Sequence, residues 1–212
     1  MYSRKFRKST ENRCEVSVGE ITNIVMCGVG GQGVLLASEL IIEVARVNGF
    51  EVRKSEVHGM AQRGGAVSSH VRFGRNVFSP LIPEHTADII MSFEYMEALR
   101  YTNMISKTTK IFLNAHKLVP TTVMMGGPAY PENIEAELSQ LTESVYTVPA
   151  LVFAQELGNG RAENVVLLGA VAPKLPFERD SWTEVMKRNL KPKIVDLNLK
   201  AFEKGYSFGT TL

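Results

Sequence analysis

The sequence predicts a single Rossmann-like α/β domain of three layers, with a mixed, mainly parallel sheet and a helical C-terminal layer. Its length of 212 residues suits one substantial domain. Short apolar runs that close on glycine or polar residues alternate with segments of helical spacing, which is typical of α/β proteins. The last third of the chain shows helical spacing almost throughout, and this predicts the C-terminal layer.

The individual elements follow from these patterns. Strands are predicted at 23–27, 51–57, 66–73, 87–91, 110–114, 121–125 and 145–148. Helices are predicted at 34–47, 94–101, 132–141, 150–157, 163–171, 182–188 and 192–204. Polar and apolar residues alternate in 66–73, so this strand is expected to have one polar face. The first two strands and the helix between them form a predicted strand–helix–strand unit.

The globular domain is predicted to span 22–206, between a flexible leader at 1–21 and a tail at 207–212. The leader is rich in basic residues and poor in acidic ones. Its charged residues are Arg4, Lys5, Arg7, Lys8 and Arg13, with Glu11 and Glu15. One interpretation is a disordered terminus, and the other is a basic arm that contacts a partner.

The composition excludes several classes of protein. A formal net charge of +2 gives no basis for binding nucleic acid or a membrane surface. No apolar run approaches the ~20 residues of a membrane-spanning helix, and no secretory signal is recognisable, so a cytoplasmic location is expected. The two cysteines, Cys14 and Cys27, are too few for an iron–sulfur cluster, which needs about four thiolates. This chain therefore cannot hold such a cluster by itself, and we expect no metal in it.

A glycine loop is the first candidate site. Gly28-Val29-Gly30-Gly31-Gln32-Gly33 satisfies the pattern G-x-G-x-x-G between a predicted strand and a predicted helix. The glycines permit a close backbone approach, and the helix start offers unpaired N–H groups to an anion. Glu56 follows roughly where a dinucleotide site places its acidic residue, but the second strand leads through a loop directly into a third strand. Three interpretations stay open: a dinucleotide site, a turn that contacts a partner or a ligand phosphate, and a turn that only packs a helix on the sheet.

The second candidate site is the loop at the end of the second strand, Ser55-Glu56-Val57-His58-Gly59-Met60-Ala61-Gln62-Arg63-Gly64-Gly65. It concentrates a carboxylate, an imidazole, an amide and a guanidinium at a strand end, where parallel sheets bind ligands. Arg63 is predicted to hold a phosphate or carboxylate through charge-assisted hydrogen bonds. His58 is either a general acid or base, or a structural hydrogen-bonding group. Glu56 alternatively pairs with Arg63 and fixes the loop.

Together the two loops resemble the gamma-type domain of 2-oxoacid:ferredoxin oxidoreductases. The similarity covers nearly the whole chain after Thr22. Further matching segments are Ser68–Gly74, Glu97–Tyr101, Asn164–Ala170 and Asn198–Phe202. The His-Gly-Met sequence at 58–60 is similar to the indolepyruvate branch of this family.

The resemblance implies that this chain is the cofactor-free small subunit of a thiamine-dependent hetero-oligomer. The whole complex would convert an aryl pyruvate and coenzyme A to acyl-CoA, carbon dioxide and reduced ferredoxin. The resemblance also implies that thiamine diphosphate and the [4Fe–4S] clusters lie on a large partner subunit, and it places no catalytic residue in this chain. Two loops would contact coenzyme A or the partner. Their residues are Gly28, Gly30, Gly31, Gln32 and Gly33 in one, and Glu56, His58, Gln62 and Arg63 in the other. The alternatives are an independent NAD- or FAD-binding oxidoreductase and a non-enzymatic scaffold of the same fold.

Overall fold

The computed structural model describes residues 21–58, 65–119, 125–127 and 129–212, with only the backbone of His58. The strands of these residues form one sheet, in the order β2-β3-β1-β4-β5-β6. The strands are β1 Thr22–Val29, β2 Glu51–His58, β3 Ala66–Gly74, β4 Ile89–Ser92, β5 Lys110–Asn114 and β6 Ser144–Val148. β3 is antiparallel to β1 and β2, whereas β1, β4, β5 and β6 pair in parallel. The predicted mixed, mainly parallel sheet is confirmed.

Most of the helices follow the sheet in sequence. They are α1 Val34–Val47, α2 Ile134–Ser139, α3 Ala150–Glu156, α4 Glu163–Val171, α5 Arg179–Asn189 and α6 Pro192–Gly209. A 3-10 helix spans Met96–Met104, and shorter 3-10 turns span Gly160–Ala162 and Ala172–Lys174. None of the helices in the described ranges is long and apolar enough to cross a membrane.

Two layers of helices cover the sheet. α1 and α3 to α6 pack on one face, where Phe73, Trp182 and Phe202 are at most 1% exposed. The 3-10 helix and α2 cover the other face around Val25 and Ile111. Apolar residues on both faces of β1 explain this burial, because successive side chains of a strand point to opposite faces. The expected three-layer α/β domain with a helical C-terminal layer is confirmed.

The structure differs from the sequence-based expectations in three places. β1 and β2 run in the same direction, as the strand–helix–strand unit predicts, but β3 lies between them. The helix predicted at 94–101 is a 3-10 helix, in which Tyr101 departs from helical geometry at φ −116° and ψ 22°. α6 continues to Gly209, so part of the segment assigned to a tail is helical. Residues 1–20 of the predicted leader and 121–124 of a predicted strand lie outside the described residues.

Candidate functional site

The glycine loop connects β1 to α1 at the edge where the parallel strands have their carboxyl ends. This edge is the usual position of ligands in open α/β sheets. The N–H group of Gly30 donates a hydrogen bond to the carbonyl oxygen of Gly65, at 2.9 Å. The glycine loop therefore touches the residue that immediately precedes β3.

The glycines of this loop have different roles. Gly33 has a φ of +77°, and a Cβ atom there would lie 2.2 Å from Nδ2 of Asn164. A Cβ atom on Gly28 would lie 2.8 Å from Cβ of Phe93. Packing therefore accounts for these two glycines. Gly31 has a φ of +106°, which favours glycine, and a Cβ atom there would meet no described residue within 4 Å, so packing among these residues does not account for it.

Gln32 is directed into the molecule. Its Oε1 atom accepts a hydrogen bond from the N–H of Val29, and its Nε2 atom donates to the carbonyl oxygen of Phe93, both at 2.8 Å. The side chain was expected to be a contact residue of the loop. Its two internal bonds join the loop to the end of β4, and a contact of Gln32 with a ligand or partner stays a prediction.

The start of α1 offers unpaired N–H groups. Gly33 caps the helix without a side chain, and the first turn carries no acidic residue. In the described ranges, no residue accepts a hydrogen bond from the N–H of Gly31 or Gly33. A 14-residue helix with such a start attracts an anion through these groups and through its dipole.

The second candidate loop is only partly described. Gln62 and Arg63 lie outside the described residues, and His58 ends β2 opposite Val67. Glu56 forms an ion pair with Lys54, which also pairs with Glu39 of α1. Because β3 separates β2 from β1, Glu56 does not lie on the strand next to the glycine loop, where a dinucleotide site requires its acidic residue.

A group of polar residues at the same edge was not predicted. We call it the edge cluster, and it consists of Glu94, Asn114, His116 and Glu163. Glu94 is fully buried and accepts four hydrogen bonds. Their donors are the N–H groups of Met96 at 2.8 Å, Glu97 at 3.1 Å and Leu118 at 3.0 Å, and the hydroxyl of Tyr130 at 2.7 Å. Glu94 thus ties the segment after β4 to the segments after β5.

Glu163 is the second carboxylate of the edge cluster. Its Oε2 atom lies 2.9 Å from Nδ2 of Asn114 and 2.8 Å from Nδ1 of His116. Nδ2 of Asn114 also donates to the carbonyl oxygen of Phe93, at 3.1 Å, and this oxygen is the one that binds Gln32. A chain of hydrogen bonds therefore runs from the glycine loop to His116.

The start of α4 forms a second connection between the glycine loop and the edge cluster. Asn164 donates through Nδ2 to the carbonyl oxygen of Gly33, at 3.4 Å, and the preceding residue, Glu163, holds His116. Two consecutive residues thus contact the glycine loop and the edge cluster. The sequence contained one signal for the cluster, because Asn114 ends a predicted strand, where ligands bind.

A second polar group lies on the sheet face covered by the 3-10 helix. We call it the inner cluster: Cys27, His70, Glu97 and Tyr101. Burial raises the pKa of Cys27 to about 12 and also raises the pKa of Glu97 and of Tyr101, while it lowers the pKa of His70. Nε2 of His70 and Oε2 of Glu97 are buried without a hydrogen-bond partner among the described residues. Burial thus favours the neutral form of these four groups, and at Glu97 it is opposed by a hydrogen bond from Nε of Arg100 to Oε1, at 3.0 Å. Within the same ranges, no three His, Cys, Asp or Glu side chains are grouped to hold a metal ion.

Comparisons with known proteins agree on one family. Residues 23–208 match the family model described as pyruvate ferredoxin/flavodoxin oxidoreductase. The indolepyruvate oxidoreductase subunit IorB of Archaeoglobus fulgidus is 44% identical over 189 residues, which are 87% of this chain and 94% of that protein.

Solved structures share the fold. One match is a chain of the 2-oxoglutarate:ferredoxin oxidoreductase from Magnetococcus marinus, in a structure with 2-oxoglutarate, coenzyme A and succinyl-CoA bound. The TM-score is 0.71 and the sequence identity 21%, and the match covers 91% of this chain and 31% of that one. The gamma subunit of a keto/oxoacid ferredoxin oxidoreductase from Geobacter sulfurreducens matches with a TM-score of 0.66 and 20% identity, over 90% of this chain and 99% of that one. At these identities the likeness shows the fold alone.

Proposed function

Because this chain belongs to the pyruvate ferredoxin/flavodoxin oxidoreductase family, we propose that it is the small subunit of an indolepyruvate:ferredoxin oxidoreductase. The observation that carries this proposal is the 44% identity to a subunit of that name over 94% of its length. The expected family and the expected role as an oxidoreductase subunit are confirmed by this match. The substrate would be an aryl pyruvate, and the product of the complex its acyl-CoA.

The redox cofactors of this reaction would lie on a large partner subunit. An iron–sulfur cluster needs about four thiolates, and this chain has two cysteines, of which Cys27 is buried with a raised pKa. Thiamine diphosphate on the partner would supply the electron sink for decarboxylation. Ferredoxin would accept the electrons from the complex, in the cytoplasm.

The glycine loop would contact coenzyme A. Its support is the space beside Gly31, which no described residue fills, together with the N–H groups of Gly31 and Gly33, which have no acceptor in the described ranges and suit a phosphate. The related 2-oxoglutarate enzyme has coenzyme A bound. Arg63 would add a charge-assisted hydrogen bond from the second loop.

Reconstitution tests the subunit role. The chain and its large subunit are expressed together, and dye reduction is measured with indolepyruvate and coenzyme A. The complex should reduce the dye, and the chain alone should not. Activity of the isolated chain, or tight binding of NAD or FAD to it in calorimetry, would instead identify an independent oxidoreductase. An intact complex without activity would favour the scaffold interpretation.

Substitutions in the two loops test the coenzyme A contact. Arg63→Ala should raise the apparent KM for coenzyme A by roughly 10- to 150-fold, because a hydrogen bond to a charged group contributes about 1.5–3 kcal/mol. Gly31→Ala should raise this KM as well. Gly49→Ala is the matched control, since Gly49 also has a positive φ and open space but ends α1 at the opposite edge. Unchanged KM values would make the loops structural, and loss of assembly would assign them to the subunit interface.

A further inference from the structure

His116 is fixed in place by its backbone and by its ring. Its N–H group donates to the carbonyl oxygen of Asn114 at 2.7 Å, and its carbonyl oxygen accepts from the N–H of Tyr95 at 3.1 Å. Nδ1 of the ring lies 2.8 Å from Oε2 of Glu163. Two backbone hydrogen bonds and one ring hydrogen bond thus fix the position of His116, and such preorganisation is typical of functional groups.

The hydrogen bond to Glu163 determines which ring nitrogen is available. A carboxylate only accepts hydrogen bonds, so Nδ1 of His116 carries the proton and Nε2 has the free lone pair. The side chain of His116 is 22% exposed, and none of the described residues binds its Nε2 atom. This is the arrangement of a general base whose imidazolium form is stabilised by a carboxylate.

The charged surroundings of His116 come from three elements. Glu163 of α4 faces its ring, with 10% of the Glu163 side chain exposed. Lys117, the next residue, is exposed and lies over the rings of Tyr95 and Tyr130, with Nζ at 5.4 and 5.7 Å from their centroids. Glu94 has both oxygens occupied by other donors, so Glu163 is the carboxylate that compensates a positive charge on His116.

The position of His116 relates it to the proposed coenzyme A contact. His116 lies at the carboxyl edge of the sheet, and Glu163 and Asn164 connect its ring to Gly33 of the glycine loop. Coenzyme A reacts through its thiol, and a thiol with a pKa near 8.5 is only a few per cent ionised at pH 7. The thiolate is the nucleophile, so a base near the thiol accelerates acyl transfer.

On the basis of the proposed function, we propose that His116, oriented by Glu163, is the general base that deprotonates the thiol of coenzyme A. The S–H bond breaks and an N–H bond forms at Nε2 of His116, while the electron pair stays on sulfur. The thiolate would then attack the acyl carbon held on the large subunit: a C–S bond forms, and the bond from this carbon to its carrier breaks with the electron pair left on the carrier. No electron passes to or from this chain, and the imidazolium returns its proton to solvent after transfer.

The test uses the reconstituted complex with saturating coenzyme A. His116→Gln should lower kcat for indolepyruvate-dependent dye reduction about 100-fold at pH 7, the scale of general base catalysis. Its KM for coenzyme A should change little. The deficit should shrink as the pH rises through about 8.5, because the thiolate then forms without a base. His85→Gln is the matched control and should behave as wild type, since exposed His85 lies before β4, at the other edge.

Two further measurements separate catalysis from structure. Glu163→Gln keeps an acceptor for Nδ1 but loses the charge, so its kcat should fall between those of wild type and His116→Gln. The first reduction of dye in a single turnover without coenzyme A should be equal in all variants. A His116→Gln deficit that is independent of pH, or that extends to this first turnover, would overturn the proposal. A wild-type complex that shows no need for coenzyme A would instead contradict the proposed function.

Discussion

The edge cluster and the inner cluster contain similar polar side chains, but they differ in how many of the buried polar atoms have hydrogen-bond partners. In the edge cluster, Glu94 accepts four hydrogen bonds, and Glu163 accepts two through one oxygen. In the inner cluster, Oε2 of Glu97 and Nε2 of His70 are buried without partners among the described residues. A buried charge persists only where donors or counter-charges compensate its desolvation.

The difference indicates which cluster can perform chemistry. In the inner cluster, burial shifts each pKa toward the neutral form, so the thiol of Cys27 is a poor nucleophile and the imidazole of His70 a poor base near pH 7. In the edge cluster, hydrogen bonds fix the positions of two carboxylates and one imidazole. Its one exception is Oδ1 of Asn114, which is buried without a partner in the described ranges. Satisfied polar networks are rigid, and rigidity is what a catalytic or binding group requires.

The largest effect is expected at Cys27. Burial raises the pKa of this thiol from the ordinary value of 9.0 to about 12, which lowers the thiolate fraction at pH 8 about a thousandfold. In a Cys14→Ser variant, Cys27 should therefore react with iodoacetamide about a thousandfold more slowly in the folded chain than in urea. Similar rates of iodoacetamide reaction in the folded chain and in urea would show that Cys27 is open to solvent. The inner cluster would then not differ from the edge cluster in the way proposed above.

The next effect concerns the stability supplied by Glu94. Glu94→Ala leaves the N–H groups of Met96 and Leu118 and the hydroxyl of Tyr130 without this acceptor, and the free energy of unfolding should fall by about 2–4 kcal/mol. Glu94→Gln should lose less, because one oxygen acceptor is kept. Glu84→Ala is the control in urea titrations of the full chain, since Glu84 is exposed and accepts a single long bond from Asn103, at 3.2 Å. A loss no larger than that of Glu84→Ala would mean that the edge cluster is not a stabilising network.

The fold was largely predictable because its main signals are local. α1, β5 and α4 have their predicted bounds, since a 3.6-residue period or a short apolar run defines each of them. The insertion of β3 between β1 and β2 was not predicted, because strand neighbours depend on long-range pairing. The 3-10 geometry of Met96–Met104 was also missed, since the choice between i+3 and i+4 hydrogen bonds depends on packing.

The candidate site was predictable only in part for the same reason. The glycine loop is one contiguous segment with a recognisable pattern, so its sequence was sufficient. Glu94, His116 and Glu163 are separated by 22 and 47 positions along the chain. The parallel pairing of β4 and β5 brings the first two together, and the packing of α4 adds Glu163. None of the three belongs to a short motif. The inward orientation of Gln32 was likewise set by the end of β4, which is distant in sequence.

The smallest effect is expected at Glu97. Because burial raises the folded-state pKa of this carboxyl, the folded chain binds a proton that the unfolded chain has already released. The contribution of Glu97 to the stability of the wild type should therefore decline as the pH rises above the ordinary value of 4.5. Glu97→Gln does not titrate and keeps an oxygen to accept the 3.0 Å bond from Arg100. The variant should match wild type near pH 4 and become more stable toward pH 8, by less than the loss at Glu94. Glu184→Gln, at an exposed site of α5, should show no such trend. If urea titrations gave Glu97→Gln the lower stability at pH 8, Glu97 would be a compensated charge, and the distinction between the two clusters would disappear.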